Sequence, residues 1–195
     1  MHARTLPGLV LLGGCLLVVM LIPAVRQAAE ARMLTHMLLQ YPALMLAGAL
    51  LVPAVPARWR KGLQRFNVMG LAGLLGVALS MAVLMVPRVL DLALVNVWVE
   101  AAKLLALLLS GAALALSWRR AGTVIQAFFL GNLLPMLAVV GSLYQESTLR
   151  MCNAYRLDDQ QALGSALHAV AAGVLVLWLL QLGLWRLRRP RPAAA

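Results

Sequence analysis

The sequence predicts an all-α, polytopic transmembrane helical bundle of about six spans, with both termini in the cytoplasm. Three observations predict it. Of the 195 residues, 63% are hydrophobic and only 12% charged, against roughly half and about a quarter in soluble domains. One soluble core could not cover that much apolar surface. The apolar residues fall into runs of the length a bilayer needs, about 20 residues each, and the cations stand between the runs, concentrated on alternate sides.

Taken in order, the expected spans run from Leu6 to Val25, Met33 to Val55, Phe66 to Pro87, Leu92 to Trp118, Gly122 to Tyr144, and Ala162 to Trp185. Each must be helical, because an unpaired backbone group is too costly in lipid. The loop holding Arg58, Arg60, Lys61 and Arg65 is strongly basic. So are Arg119 with Arg120, and the tail with Arg186, Arg188, Arg189 and Arg191. The intervening loops are mixed: Arg26 to Arg32 with Glu30, Arg88 with Asp91, and Glu146 to Asp159. The basic set belongs in the cytoplasm, and an even span count agrees. The whole chain reads as a single multi-pass transmembrane domain. Residues 1 to 31 also allow a signal-peptide reading, with Ala29-Glu30-Ala31 as the cleavage site. The apolar run continues past Cys15 to Val25, so a retained first helix is expected.

Inside the spans, Gly70, Gly73 and Gly76 predict a small-residue surface for close helix approach. Pro42, Pro53 and Pro135 lie in or near spans, where freed carbonyls need other partners. The net charge of +11 is spread over membrane-flanking loops, so membrane lipid rather than nucleic acid is the expected partner. Cys15 and Cys152 are too few for a disulfide framework, and one lies in a span while the other lies in a loop.

The residues that could carry chemistry gather towards the external side. Met33, His36, Met37 and Gln40 share one helix face at i, i+3, i+4 and i+7. Thioethers with an imidazole suit copper(I); they also suit an apolar core with an interfacial histidine. Met151 and Cys152 lie in the last external loop, and His168 lies about two turns into the final span. Glu100 and Lys103, one turn apart in the fourth span, suit an internal ion pair or a proton relay. Asn96 and Asn132 are expected to hold helices together. No catalytic triad, zinc-protease helix or phosphate-cradling loop is visible, so an enzyme is not expected.

Three stretches resemble the CtaG family, assembly factors of caa-type cytochrome c oxidase. His36-Met37-Leu38-Leu39 with Pro42 is similar to that family's His-Met-Leu-Leu helix. Asn96-Val97-Trp98-Val99, leading to Gly111 and Trp118, is similar to its central span. Asp159-Gln160-Gln161 with Gly164 is similar to its Asp-Gln-Gln segment. The resemblance covers the second span to the C-terminus, and the chain is short and diverged for the family. Arg32-Met33 stands where a first His-Met pair is expected, Lys103 and Leu104 follow Glu100 where histidines are expected, and His168 replaces a tryptophan.

The resemblance implies a bacterial inner-membrane assembly factor that helps deliver copper to a respiratory oxidase or another periplasm-facing copper enzyme. His36, Met37, Met33, His168, Cys152 and Met151 would be the candidate ligands. The alternatives are a membrane b-type haem protein with His36 and His168 as axial ligands, a permease for copper or a small solute with Glu100 and Lys103 along its path, and a structural subunit without a ligand.

Overall fold

The computed structural model describes residues 5–187; the tail cations Arg188, Arg189 and Arg191 lie outside them. The described residues form nine helices and no strand. α1 (Thr5–Leu21) ends before Pro23, which lacks an N–H and holds Ile22 in an extended conformation at ψ 125°. The chain turns there by 73° into α2 (Pro23–Glu30). α3 (Met33–Ala54) widens into a π-helical turn at His36–Gln40, just before Pro42, whose missing N–H interrupts the α-helical ladder. It closes in a 3₁₀ turn at Val52–Ala54.

α4 (Ala57–Phe66) meets α5 (Leu71–Leu84) at an 86° bend. α6 (Pro87–Val95) and α7 (Val97–Ser117) are separated by Asn96. α8 (Thr123–Glu146) and α9 (Leu157–Leu187) complete the bundle. Four helices (α3, α7, α8 and α9) are long and apolar enough to cross a membrane. The number reaches six if the bent pairs α1–α2 and α4–α5 each count as one span.

The long spans fall close to expectation, and the differences have local causes. The expected third span, Phe66 to Pro87, shrinks to α5, whose 14 residues reach only about 21 Å. The preceding cations leave the span direction altogether, as α4. The expected fourth span loses its first turn because Asn96 is an N-cap: its Oδ1 accepts from the Trp98 and Val99 N–H groups. Asn132 donates to Phe128 O of its own helix, so neither asparagine makes the interhelical bond expected of it. The last helix starts earlier than expected, with Asp158 and Asp159 in its first turn, where the helix dipole favours carboxylates.

Small residues set the closest crossings. A Cβ on Gly48 would lie 2.0 Å from Leu108 O, and one on Gly111 would lie 1.8 Å from Met45 O. α3 and α7 therefore cross backbone to backbone through a reciprocal glycine pair. Gly141 and Gly164 do the same between α8 and α9, where each would-be Cβ falls 2.9 and 2.6 Å from the other's carbonyl oxygen. On α5, Gly73 faces Ser117, but a Cβ on Gly76 would meet nothing within 4 Å. Gly70 takes the left-handed conformation (φ 73°) at the turn into α5, a geometry that favours glycine.

Gly111→Ala is expected to lower stability by about 1–3 kcal/mol through overpacking, measured as a lower unfolding midpoint in detergent. Gly76→Ala is expected to hold or raise the midpoint, since alanine is the better helix former by up to about 1 kcal/mol.

Candidate functional site

At one end of the bundle a polar cluster is sealed inside the helices. Lys103 is 1% exposed, and its Nζ is surrounded by three hydrogen-bond acceptors and, as an ion-pair partner, the Glu100 carboxylate. Glu100 Oε2 lies at 2.7 Å, His36 Nε2 at 2.8 Å, Glu30 Oε1 at 3.1 Å and Gln40 Oε1 at 3.2 Å. An ammonium can only donate, so His36 Nε2 accepts, and the imidazole is neutral with its proton on Nδ1. That Nδ1 donates to the Tyr155 hydroxyl at 2.6 Å, and Tyr155 donates onward to Glu30 O at 3.1 Å. Gln40 Nε2 donates to Glu30 Oε1 at 3.0 Å. Arg26 Nε stands 3.9 Å from Glu30 Oε2, so two carboxylates face one ammonium and one peripheral guanidinium.

Local sequence explains how these groups converge. The π turn presents His36, Met37 and Gln40 inward, and all three are buried together with Met33. Glu100 and Lys103 share a face one turn apart on α7. Glu30 arrives because the bend at Pro23 turns α2 back over the bundle. Removing residues 1 to 31 would strip the cluster of Glu30, which ties the first helices to the rest of the site.

A second layer closes this end. The Asp159 carboxylate accepts from the Met33 N–H through Oδ2, and its Oδ1 pairs with Arg32 Nε at 3.2 Å. Gln160 accepts from Met151 N at 2.9 Å and donates to Tyr144 O at 3.4 Å. Asp91 accepts from the Asn153 and Ala154 N–H groups at 2.9 and 3.2 Å. Tyr41 and Tyr144 donate to Leu84 O and Met85 O, the carbonyls freed where α5 stops before Pro87. Above the cluster lies a cleft of about 350 Å³ whose walls include Arg32, Tyr155, Arg156, Asp158 and Asp159.

No protein-family model, curated protein or solved structure matches the chain. The geometry alone therefore bears on the expected ligands. Met33 and Met37 pack in the apolar core with Met20 and Met81. His36 has both ring nitrogens engaged, as above. His168 sits in a different network, with Nδ1 2.9 Å from Gly164 O and Nε2 3.2 Å from Ser142 Oγ. Its ring lies against Gly141. Met151 is partly exposed and Cys152 is buried.

The Cys152 thiol lies 3.9 Å from Pro87 O. Burial and then the Asp91 charge push its pKa up to about 12, which keeps it protonated and a poor metal ligand. Gln161 is exposed at the helix surface, where its backbone carbonyl accepts from the Ser165 hydroxyl. Among the described residues, no group of three or more His, Cys, Asp or Glu side chains is arranged to hold a metal ion. Of the ligands expected from sequence, His36 and His168 lie in separate hydrogen-bond networks. Nor does either of these histidines offer an unengaged nitrogen to a haem iron.

Sequence reasoning found Glu100, Lys103, His36 and the Asp-Gln-Gln segment, but it missed Glu30, Gln40 and Tyr155 as their partners. The signal available was scarcity. The chain has three tyrosines, and all three are buried hydrogen-bond donors at this end.

Lys103→Met is expected to cost about 3–5 kcal/mol, because it leaves buried carboxylates unpaired. Combining it with Glu30→Gln and Glu100→Gln should recover most of that loss in the same unfolding assay. An unchanged midpoint for Lys103→Met alone would rule out a structural role for the ammonium. In folded protein near pH 7, Cys152 is expected to resist a thiol-modifying maleimide and to react only after unfolding, as read by mass spectrometry.

Proposed function

We propose that the chain is a non-enzymatic accessory protein of a bacterial inner membrane. It spans the membrane six times with both termini in the cytoplasm and assists the assembly of a respiratory oxidase or another periplasm-facing copper enzyme. One observation carries this reading. The two stretches with the best resemblance to CtaG-type assembly factors, His36-Met37-Leu38-Leu39 and Asp159-Gln160-Gln161, are far apart in sequence yet build one end of the bundle together. Asp159 pins the start of α3 through Met33 and Arg32, and Tyr155, just before α9, bonds His36. Each motif thus bonds a residue that flanks the other, which supports a common architecture with that family.

Charge supports the orientation. Arg58, Arg60, Lys61, Arg65, Arg119, Arg120 and Arg186 stand at the end away from the cluster. All of the chain's acidic residues lie on the cluster's half or in the cluster itself. The basic end belongs in the cytoplasm, so the cluster and the cleft above it face the periplasm.

In this reading copper is cargo of the partner enzyme rather than a resident of a preformed site. Holding it at His36 would require Lys103 or Tyr155 to let go of the ring. The protein instead works by contact, offering the partner a rigid periplasmic face. The loop between α8 and α9 is fixed there by Asp91, Gln160 and Cys152. A second reading, a proton relay or permease, draws support from the chain Tyr155–His36–Lys103–Glu100, which runs from the cleft into the bundle.

Deleting the gene is expected to reduce the activity and copper content of a membrane copper enzyme, with wild-type protein restoring both. Asp159→Ala should restore them less well, by about tenfold. Copper analysis of purified protein after copper(I) loading separates the mechanisms. Near-stoichiometric copper lost in His36→Ala would replace the contact mechanism with a rearranged copper site. Intact enzyme in the deletion strain would overturn the assembly role, and loss of proton or copper uptake by vesicles in Glu100→Gln would favour the relay.

A further inference from the structure

α4 differs from every other helix in the bundle. None of its residues is buried, and it lies at 86° to α5. Its sequence, Ala-Arg-Trp-Arg-Lys-Gly-Leu-Gln-Arg-Phe, separates into two faces at helical spacing. Trp59, Leu63 and Phe66 fall within about 60° of each other at 100° per residue. Arg58, Lys61 and Arg65 fall on the opposite arc, with Arg60 at its edge. The apolar three are 62%, 56% and 87% exposed, so nothing among the described residues covers them. Four cations in 10 residues exclude the helix from the hydrocarbon core.

The surroundings name the occupant. α4 follows α3, which is long and apolar enough to cross a membrane, and leads into the apolar α5, so it is held near the depth where α3 leaves the bilayer. It runs across the direction of α5, as a helix lying in the interface does. α5 is short for a full span, which draws the α4 end towards the headgroups. Exposed Arg119 and Arg120 extend the positive surface from the next turn: the start of α5 packs there, with Gly70 against Ser117 and Ala121. No acidic residue stands at this end.

We infer that α4 is an interfacial membrane-binding helix that selects anionic phospholipid headgroups, with Trp59, Leu63 and Phe66 in the acyl boundary and Arg58, Lys61 and Arg65 on the phosphates. The inference rests on the membrane reading of the fold and not on the assembly role.

The test uses the full chain in vesicles of phosphatidylcholine and phosphatidylglycerol at 7:3, in a Cys15→Ser background. A nitroxide is attached in turn at Leu63→Cys and Lys61→Cys. The Leu63 site should collide mainly with dissolved oxygen, and the Lys61 site mainly with a water-soluble nickel chelate. Native mass spectrometry of detergent-solubilised protein, offered both lipids equally, reads selectivity. Each cation near an anionic surface favours association about fivefold. The variant Arg58→Gln/Lys61→Gln/Arg65→Gln should therefore lose phosphatidylglycerol preference by about tenfold or more. Equal nickel access at both sites overturns the inference, as does a Leu63 site shielded from both reagents by protein. So does a lipid preference that the triple variant retains.

Discussion

A single ammonium group inside the helical bundle draws together side chains of α2, α3 and α7. Lys103 is sealed from solvent, and in a low-dielectric interior an ion is tolerable only if its partners neutralise and solvate it. Glu100, one turn away, supplies charge but not enough ligands. The remaining acceptors come from two other segments, Glu30 at the end of α2 and His36 and Gln40 in the π turn of α3, with Tyr155 holding His36 from the far side. The departures from regular helix geometry in α2 and α3 bring these groups within reach of the ammonium.

Those departures are what the helix breakers accomplish. Pro23 bends the chain so that Glu30 comes over the bundle rather than continuing outward. Pro42 ends the α-ladder and leaves a π turn, which rotates His36 and Gln40 onto the same side as Met33 and Met37. Pro87 stops α5 and frees the carbonyls of Leu84 and Met85, which Tyr41 and Tyr144 then satisfy. In lipid an unmatched carbonyl has no water to turn to. A buried tyrosine near a proline-terminated helix is therefore part of the same local solution.

The span pattern was legible in the sequence because lipid-facing surface leaves a hydropathy signal in every residue of a span, and the α3, α7, α8 and α9 helices carry it without interruption. Where polar residues interrupted it, the reading lost accuracy. Asn96 reads as a polar residue inside a span but acts as a helix cap. Arg58 to Arg65 read as a loop but form a helix, because amphipathicity at 3.6-residue spacing coexists with high charge. The ion pair of Glu100 and Lys103 was legible from i, i+3 spacing. Glu30 was not: it comes from more than 70 residues away, and nothing local distinguishes it from a loop carboxylate.

The methionines and histidines show why a ligand set cannot be read from composition alone. Thioether and imidazole at one depth describe a copper site and a well-packed core equally well, because methionine fills irregular apolar gaps and a neutral histidine bridges two polar neighbours. What separates the two is whether lone pairs point at a shared empty point. Here His36 Nε2 already accepts from Lys103, and Nδ1 already donates to Tyr155. Lys103 Nζ, 2.8 Å from His36 Nε2, places a cation where a metal ion would have to sit to use that nitrogen. A second cation is repelled where an ammonium sits. The charge of Lys103 and the occupation of His36 are thus one electrostatic arrangement, and it disfavours a second cation on that imidazole.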